Sequence, residues 1–222
     1  MTGGWLRPAV FGAMDGLVSN FALIAGMDGG TQSGSRFIVL AGLAGLAAGA
    51  FSMAAGEYTS VASQRELAHA EIEVERREIQ LHPGAEESEL AATYRAKGLD
   101  PDLASKVAEQ FHADPDQALE EHVREELGVD PNDLPSPLLA AASSFICFAV
   151  GAFVPVLPYL LGAGSVIPAL IMSLTALFIC GAVVSRVTTR SWWYSGLRQL
   201  ILGAAAAGLT YAVGALVGPG IG

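Results

Sequence analysis

The chain has 222 residues, 52% of them hydrophobic and only 15% charged, with a mean hydropathy of +0.45. A soluble domain of this size carries more charge. The formal charge of −10 also excludes a nucleic-acid-binding protein, which needs a basic footprint.

Apolar runs of about 18 residues or more read as membrane helices. Five occur here, at residues 8–27, 37–55, 138–161, 166–187 and 197–217. These Ala/Gly/Leu runs lack the alternation of a barrel, so helices are predicted. The first run follows Arg7 as a signal peptide would, but it is too long for an h-region and contains Asp15, and it reads as a retained span. Asp15 within a span costs at least ~2.5–3.5 kcal/mol on insertion scales, so a cavity or a partner is expected there. Nearby lies Gly12-x-x-x-Gly16. In the second run Ala41, Gly45, Gly49, Met53 and Glu57 recur every four residues on one ridge. Small residues on such a ridge let helices approach closely, and a two-fold dimer interface along spans one and two is predicted. Met53 adds a thioether and Glu57 a carboxylate, a mixed set that favours a first-row transition metal. Cys147 and Cys180 both fall in spans and read as small apolar filler.

Between spans two and three, residues 60–137 hold 19 of the 22 acidic residues, 7 of the 12 basic ones and all four histidines. The second helix has no stop signal before His82-Pro83-Gly84 and is predicted to continue to Leu81. Helices are then predicted at 86–97, 101–112 and 115–127. The last two open with Asp100-Pro101 and Asp114-Pro115, an N-cap followed by proline at the first helical position. Residues 130–137 read as a stiff linker. The domain limits are thus 1–59 for spans one and two, 60–134 for the acidic domain and 135–222 for spans three to five.

Lys and Arg set the orientation. Arg186, Arg190 and Arg198 flank the turn between spans four and five, and no basic residue lies between spans three and four. The positive-inside rule then predicts a cytosolic N-terminus and a cytosolic acidic domain. Trp5, Trp192 and Trp193 fall at expected membrane interfaces.

Within the acidic domain Glu71, Glu75 and Glu78 share one helix face at i, i+4, i+7. Glu86 and Glu89 follow at i, i+3, and His122 and Glu126 at i, i+4. Like charges stacked this way repel unless a cation compensates. Glu73, Glu87, Glu120, Glu121 and Glu125 read as a solvated face.

The strings DGLVSNFALIAG (15–26), GAFSMAAGEYTSVASQRE (49–66) and VREELG (123–128) resemble the vacuolar iron transporter family. The resemblance covers essentially the whole chain. It implies an all-α membrane protein with five transmembrane helices and a helical cytosolic domain inserted between helices two and three. It implies a transporter rather than an enzyme, a homodimer that exports Fe²⁺ or Mn²⁺ from the cytosol against protons, with the pathway between subunits. The membrane would be the plasma membrane in a prokaryote or the vacuolar membrane in a eukaryote. No prosthetic group is implied, since the metal is substrate and domain ligand. The family's pathway residues fall on Asp15 and Met53, with Glu57 beside them. Its domain glutamates, spaced 3, 8, 3 and then 37 apart, fall on Glu75, Glu78, Glu86, Glu89 and Glu126. Relatives often place methionine one turn before the last glutamate. This chain has His122, which also suits Zn²⁺.

The competing reading is a membrane-tethered di-iron carboxylate ferroxidase, resting on Glu66-x-x-His69 and Glu109-x-x-His112. Di-iron bundles want four long facing helices, whereas the 86–97 and 101–112 helices run only about three turns.

Overall fold

The computed structural model describes residues 4–30, 34–187 and 189–218. Its described residues form helices and connections, with no strand. The chain forms two compact units, Met1–Thr59 with Pro137–Gly222, and Ser60–Ser136.

Among the described residues, the first unit contains five helices long and apolar enough to cross a membrane: α1 (Leu6–Gly30), the first part of α2 (Ser35–Leu81), α6 (Pro137–Leu160), α7 (Ile167–Val184) and α8 (Trp192–Val217). α1 packs closely against both α6 and α8. Glycine makes these approaches possible. A methyl group on Gly16 would run into the Phe148 carbonyl, and one on Gly214 into the Gly26 carbonyl. Since lipid is as apolar as leucine, such close backbone packing and interhelical hydrogen bonds hold membrane helices together. The Thr210 hydroxyl of α8 donates to the Ala22 carbonyl of α1 at 2.7 Å. The Asn20 amide of α1 donates to the carbonyls of Gly42 on α2 (3.1 Å) and Ala152 on α6 (2.6 Å).

Part of the small-residue ridge of α2 joins this packing. A side chain on Gly45 would meet Leu23 and Asn20, and one on Gly49 would meet the Phe148 ring. At Gly45 and Gly49 the close neighbours are thus residues of α1 and α6 of the same chain.

The second unit contains the end of α2, then α3 (Pro83–Ala96), α4 (Pro101–His112) and α5 (Pro115–His122), with a π-helical turn at Val123–Leu127. Asp100 caps α4 by accepting from the Asp102 and Leu103 amides, and Asp114 caps α5 by accepting from the Asp116 amide. Gly98 and Gly128 take positive φ after α3 and after the π turn, a conformation open to glycine at no steric penalty. One apolar cluster joins Ile72 and Ile79 of α2 to Ala118, Leu119 and Val123. A second joins Leu90 and Ala91 of α3 to Ala108 of α4, flanked by the stacked rings of Tyr94 and Phe111.

Several boundaries differ from expectation. α3 starts at Pro83 rather than at 86, because proline suits the first helical turn as well as it ends the preceding helix. α8 starts at Trp192 rather than at 197, its two tryptophans forming the first turn. The helix expected over 115–127 is α-helical only to His122 and widens into the π turn beyond it.

Candidate metal centre

Helix geometry explains why ionisable residues are inside the acidic unit. On α2, Glu75 lies at i+3 from Ile72 and four residues before Ile79, so it shares the stripe that those two isoleucines bury. His122 lies at i+4 from Ala118 and i+3 from Leu119 and extends their buried stripe on α5. Glu86 precedes Leu90 by one turn on α3 and is itself buried. These three side chains converge.

His122 is fully buried, and its Nδ1 faces three carboxylates. Glu126 Oε1 lies at 2.9 Å, Glu75 Oε1 at 3.0 Å and Glu86 Oε2 at 3.8 Å. Nδ1 carries at most one proton, and its hydrogen bond goes to Glu126. Glu75 Oε1 is buried with no hydrogen-bond partner. Glu75, His122 and Glu126 each offer a ligand atom, all within 4.8 Å of one another. A divalent cation would satisfy all three at once. The 2.9 and 3.0 Å ligand edges and the 4.8 Å limit on the group are short enough for all three atoms to reach one first-row ion with bonds of ~2.1 Å.

The electrostatics of the cluster point the same way. Glu75 is pushed up to about 7, by burial first and by the Glu126 charge next, with His122 opposing and Glu86 and Glu89 adding to the rise. The Glu86 carboxyl is raised by burial and then by Glu89, against His122, with Glu126 and Glu78 contributing. Carboxylates held together against their own repulsion take up protons or a cation.

The remaining candidates divide. Glu78 and Glu89 act on the cluster through their charge but are outside the three-residue ligand group; Glu78 also pairs with His82 at 3.9 Å. Glu71 is exposed. Glu73 pairs with Arg76 at 3.4 Å on the surface, and Glu120 with Arg124 at 3.3 Å. Glu121 and Glu125 depart from the expected solvated face. Glu121 accepts from the Tyr94 hydroxyl, and Glu125, only 16% exposed, pairs with Lys97. The two contacts tie the segment that carries His122 to α3. Of the Glu-x-x-His pairs, Glu66, His69 and Glu109 are exposed and join no ligand group among the described residues. His112 instead meets His122, Nε2 to Nε2, at 3.0 Å. Sequence reading missed this contact, although the signal was there: His112 prolongs the buried Ala104–Ala108 stripe of α4 by one turn.

In the membrane unit a cavity of about 260 Å³ is lined by Asp15, Ser19, Asn20, Gly45, Ser52 and Met53, among others. Asp15 of α1 and Met53 of α2 thus face one space. Glu57, one turn beyond Met53, is outside that lining.

Comparison with known proteins adds the family. The sequence profile of the VIT family matches residues 6–215. The chain is 37% identical over 223 residues to the vacuolar iron transporter of Acanthamoeba castellanii, covering 97% of this chain and 79% of the relative. It is 31% identical over 215 residues to vacuolar iron transporter 1 of Arabidopsis thaliana, covering 96% and 86%. It is 30% identical over 209 residues to vacuolar iron transporter 2 of rice, covering 93% and 85%. All three are named as transporters, and none as an oxidase. On a profile match over nearly its whole length and on these relatives, the chain belongs to the VIT family.

Proposed function

We propose that the protein exports Fe²⁺, and Mn²⁺ with it, from the cytosol in exchange for protons. The observation that carries this reading is the convergence of Glu75, Glu86 and Glu126 on buried His122. The field of the acidic unit concentrates divalent cations, and its carboxylates and imidazole hold them. The ion crosses at the cavity shared by Asp15 and Met53, and Asp15 or Glu57 takes the counter-moving proton. The working form is a homodimer, with N-terminus and acidic unit cytosolic, in a plasma or vacuolar membrane according to the cell. The vacuolar iron transporter names of the relatives support the choice of iron.

Metal flux into proteoliposomes, metal by metal and with or without a pH gradient, tests the proposal. Wild type is expected to move Fe²⁺ faster when the gradient is imposed. Asp15→Asn, which keeps size and hydrogen bonding but cannot ionise, is expected to fold and to lose flux. Met53→Leu, which loses only the thioether, is expected to slow Fe²⁺. Wild-type flux in Asp15→Asn would remove Asp15 from the pathway, and gradient-independent flux would remove the exchange.

A further inference from the structure

One face of α7 carries an apolar groove that ends in a cation. Pro168, Met172, Thr175, Ile179, Val183 and Arg186 follow one another at three- and four-residue steps, which puts them on one side of a helix. From Pro168 to Ile179 this stripe and Phe153 of α6 line a cavity of about 820 Å³. From Ile179 to Arg186 it lines a second cavity of about 390 Å³, together with Phe178 and Trp192. Ile179 borders both, so the two spaces adjoin. The Thr175 hydroxyl donates to the Ile171 carbonyl at 2.7 Å, which leaves the first cavity apolar. Trp192 stands edge-to-face on Phe178, with centroids 6.1 Å apart.

The charge at this end of the groove is uncompensated. No acidic residue follows Asp133, and the basic residues after it are Arg186, Arg190 and Arg198. All three are exposed. Among the described residues the arginine ion pairs belong to Arg76 and Arg124, and these three arginines make none. We propose that the groove binds an anionic glycerophospholipid, its phosphate on Arg186 and an acyl chain laid along α7 from the second cavity into the first. The proposal is independent of the metal centre and of the transport reading. A guanidinium matches the oxygens of a phosphate in a two-point contact. A zwitterionic lipid offers the same phosphate but brings an ammonium group toward three unneutralised arginines, so an anionic headgroup is preferred.

The dimensions suit this occupant. From Pro168 to Arg186 the stripe runs ~27 Å, close to the ~30 Å hydrocarbon core of a bilayer. The chains of one leaflet reach ~15 Å of it, and Ile179 lies ~10 Å from Arg186 along the axis, so a chain starting at Arg186 passes Ile179 and enters the larger cavity. A hydrated anion would gain nothing from that apolar space. Trp192 belongs at headgroup depth, where tryptophan is enriched. The positive-inside rule assigns the Arg186 end to the cytosolic leaflet, which holds the anionic lipids. The bound lipid would touch α6, α7 and the first turn of α8 together.

The test is native mass spectrometry of the full-length protein in detergent, titrated with dioleoyl phosphatidylglycerol or dioleoyl phosphatidylcholine, which share their chains. Wild type is expected to retain phosphatidylglycerol more tightly. Arg186→Gln is expected to cut that preference about fivefold, the worth of one arginine near a charged headgroup, and Arg186→Lys to keep most of it. Arg36→Gln makes the same charge change at the start of α2 and is expected to leave the preference intact. Glycerol phosphate, a headgroup without chains, is expected not to displace the lipid. A photo-crosslinking residue at position 183, in nanodiscs containing phosphatidylglycerol, is expected to yield a lipid adduct. Equal retention of the two lipids by wild type would make Arg186 an ordinary solvated arginine and overturn the proposal. So would an unchanged preference in Arg186→Gln, or an equal loss in Arg36→Gln. Displacement by glycerol phosphate would reduce the site to one for free anions, and a crosslink to the acidic unit in place of lipid would show that protein carboxylates neutralise the arginines; either result overturns the lipid. If the variants fail to fold, the wild-type headgroup comparison and the glycerol phosphate competition decide.

Discussion

Replacing Glu75 by glutamine removes the most perturbed carboxylate of the acidic unit and keeps its shape. The folded-state value of about 7 stands above the ordinary 4.5, so between those limits the folded chain binds more protons than the unfolded one. Ion-free stability contributed by this group is therefore highest at the acid end and is lost as pH rises from about 4.5 to 7. At 1.36 kcal/mol per unit the gap corresponds to a ceiling of about 3 kcal/mol. The Glu75 side chain is 15% exposed but its main charge partner, Glu126, is 32% exposed, and discounting for solvent screening leaves about 1–2 kcal/mol. The assay is thermal unfolding of full-length wild type and Glu75→Gln in chelator, from pH 5 to pH 7.5. The variant is expected to gain on wild type across that range by the stated amount, a shift of several degrees for a unit of this size. With saturating Fe²⁺ or Mn²⁺ the order is expected to reverse, since ligand binding stabilises only the protein that still has the site. Parallel curves in chelator would show that Glu75 is an ordinary solvated carboxylate. No reversal with metal would show that it is not a ligand.

The same proton opposes the ion, so wild-type metal affinity is expected to fall between pH 7 and pH 6 by up to about tenfold. Titration calorimetry in two buffers of different ionisation heat counts the protons released, and a count independent of Glu75 would refute the coupling. In the membrane unit, Gly16→Ala drives a methyl into the Phe148 carbonyl, a backbone atom that cannot rotate away, and is expected to destabilise by about 1–3 kcal/mol. Gly56→Ala, where nothing lies within 4 Å, is the control; equal melting temperatures for the two variants would show that α1 and α6 are not closely packed.

Local chemistry made much of this fold legible. Five apolar runs announced the spans by length, and Asp100-Pro101 and Asp114-Pro115 marked two helix starts whose caps form as expected. What stayed hidden depends on contacts between helices. Glu121 and Glu125 look like a charged surface until Tyr94 of α3 and Lys97, the residue that ends that helix, are seen against them. The Gly45–Gly49 ridge says that something packs closely, but not that Phe148 and Asn20 of the same chain do so. Glu109-x-x-His112 reads as a two-residue motif, whereas the spacing of His112 from buried Ala104 and Ala108 carries the better information.

That burial pattern bears on why the acidic unit keeps its centre. Glu75, Glu86, His112 and His122 each sit where their helix would ordinarily present an apolar side chain to the core. The apolar clusters that remain are small, built from Ile72, Ile79, Ala118, Leu119 and Val123 on one side and Leu90, Ala91 and Ala108 on the other. A unit of this size has little hydrophobic surplus, and buried carboxylates of like charge reduce it further. Apolar residues at the four positions would make a steadier helical domain without the candidate metal centre. Because the candidate ligand positions are also core positions, a bound cation would do two things at once: cancel the repulsion and crosslink α2, α5 and the π turn. Metal affinity and folding of the unit would then be a single free energy read from two directions, so the acidic unit would be loosest when empty and tightest when loaded.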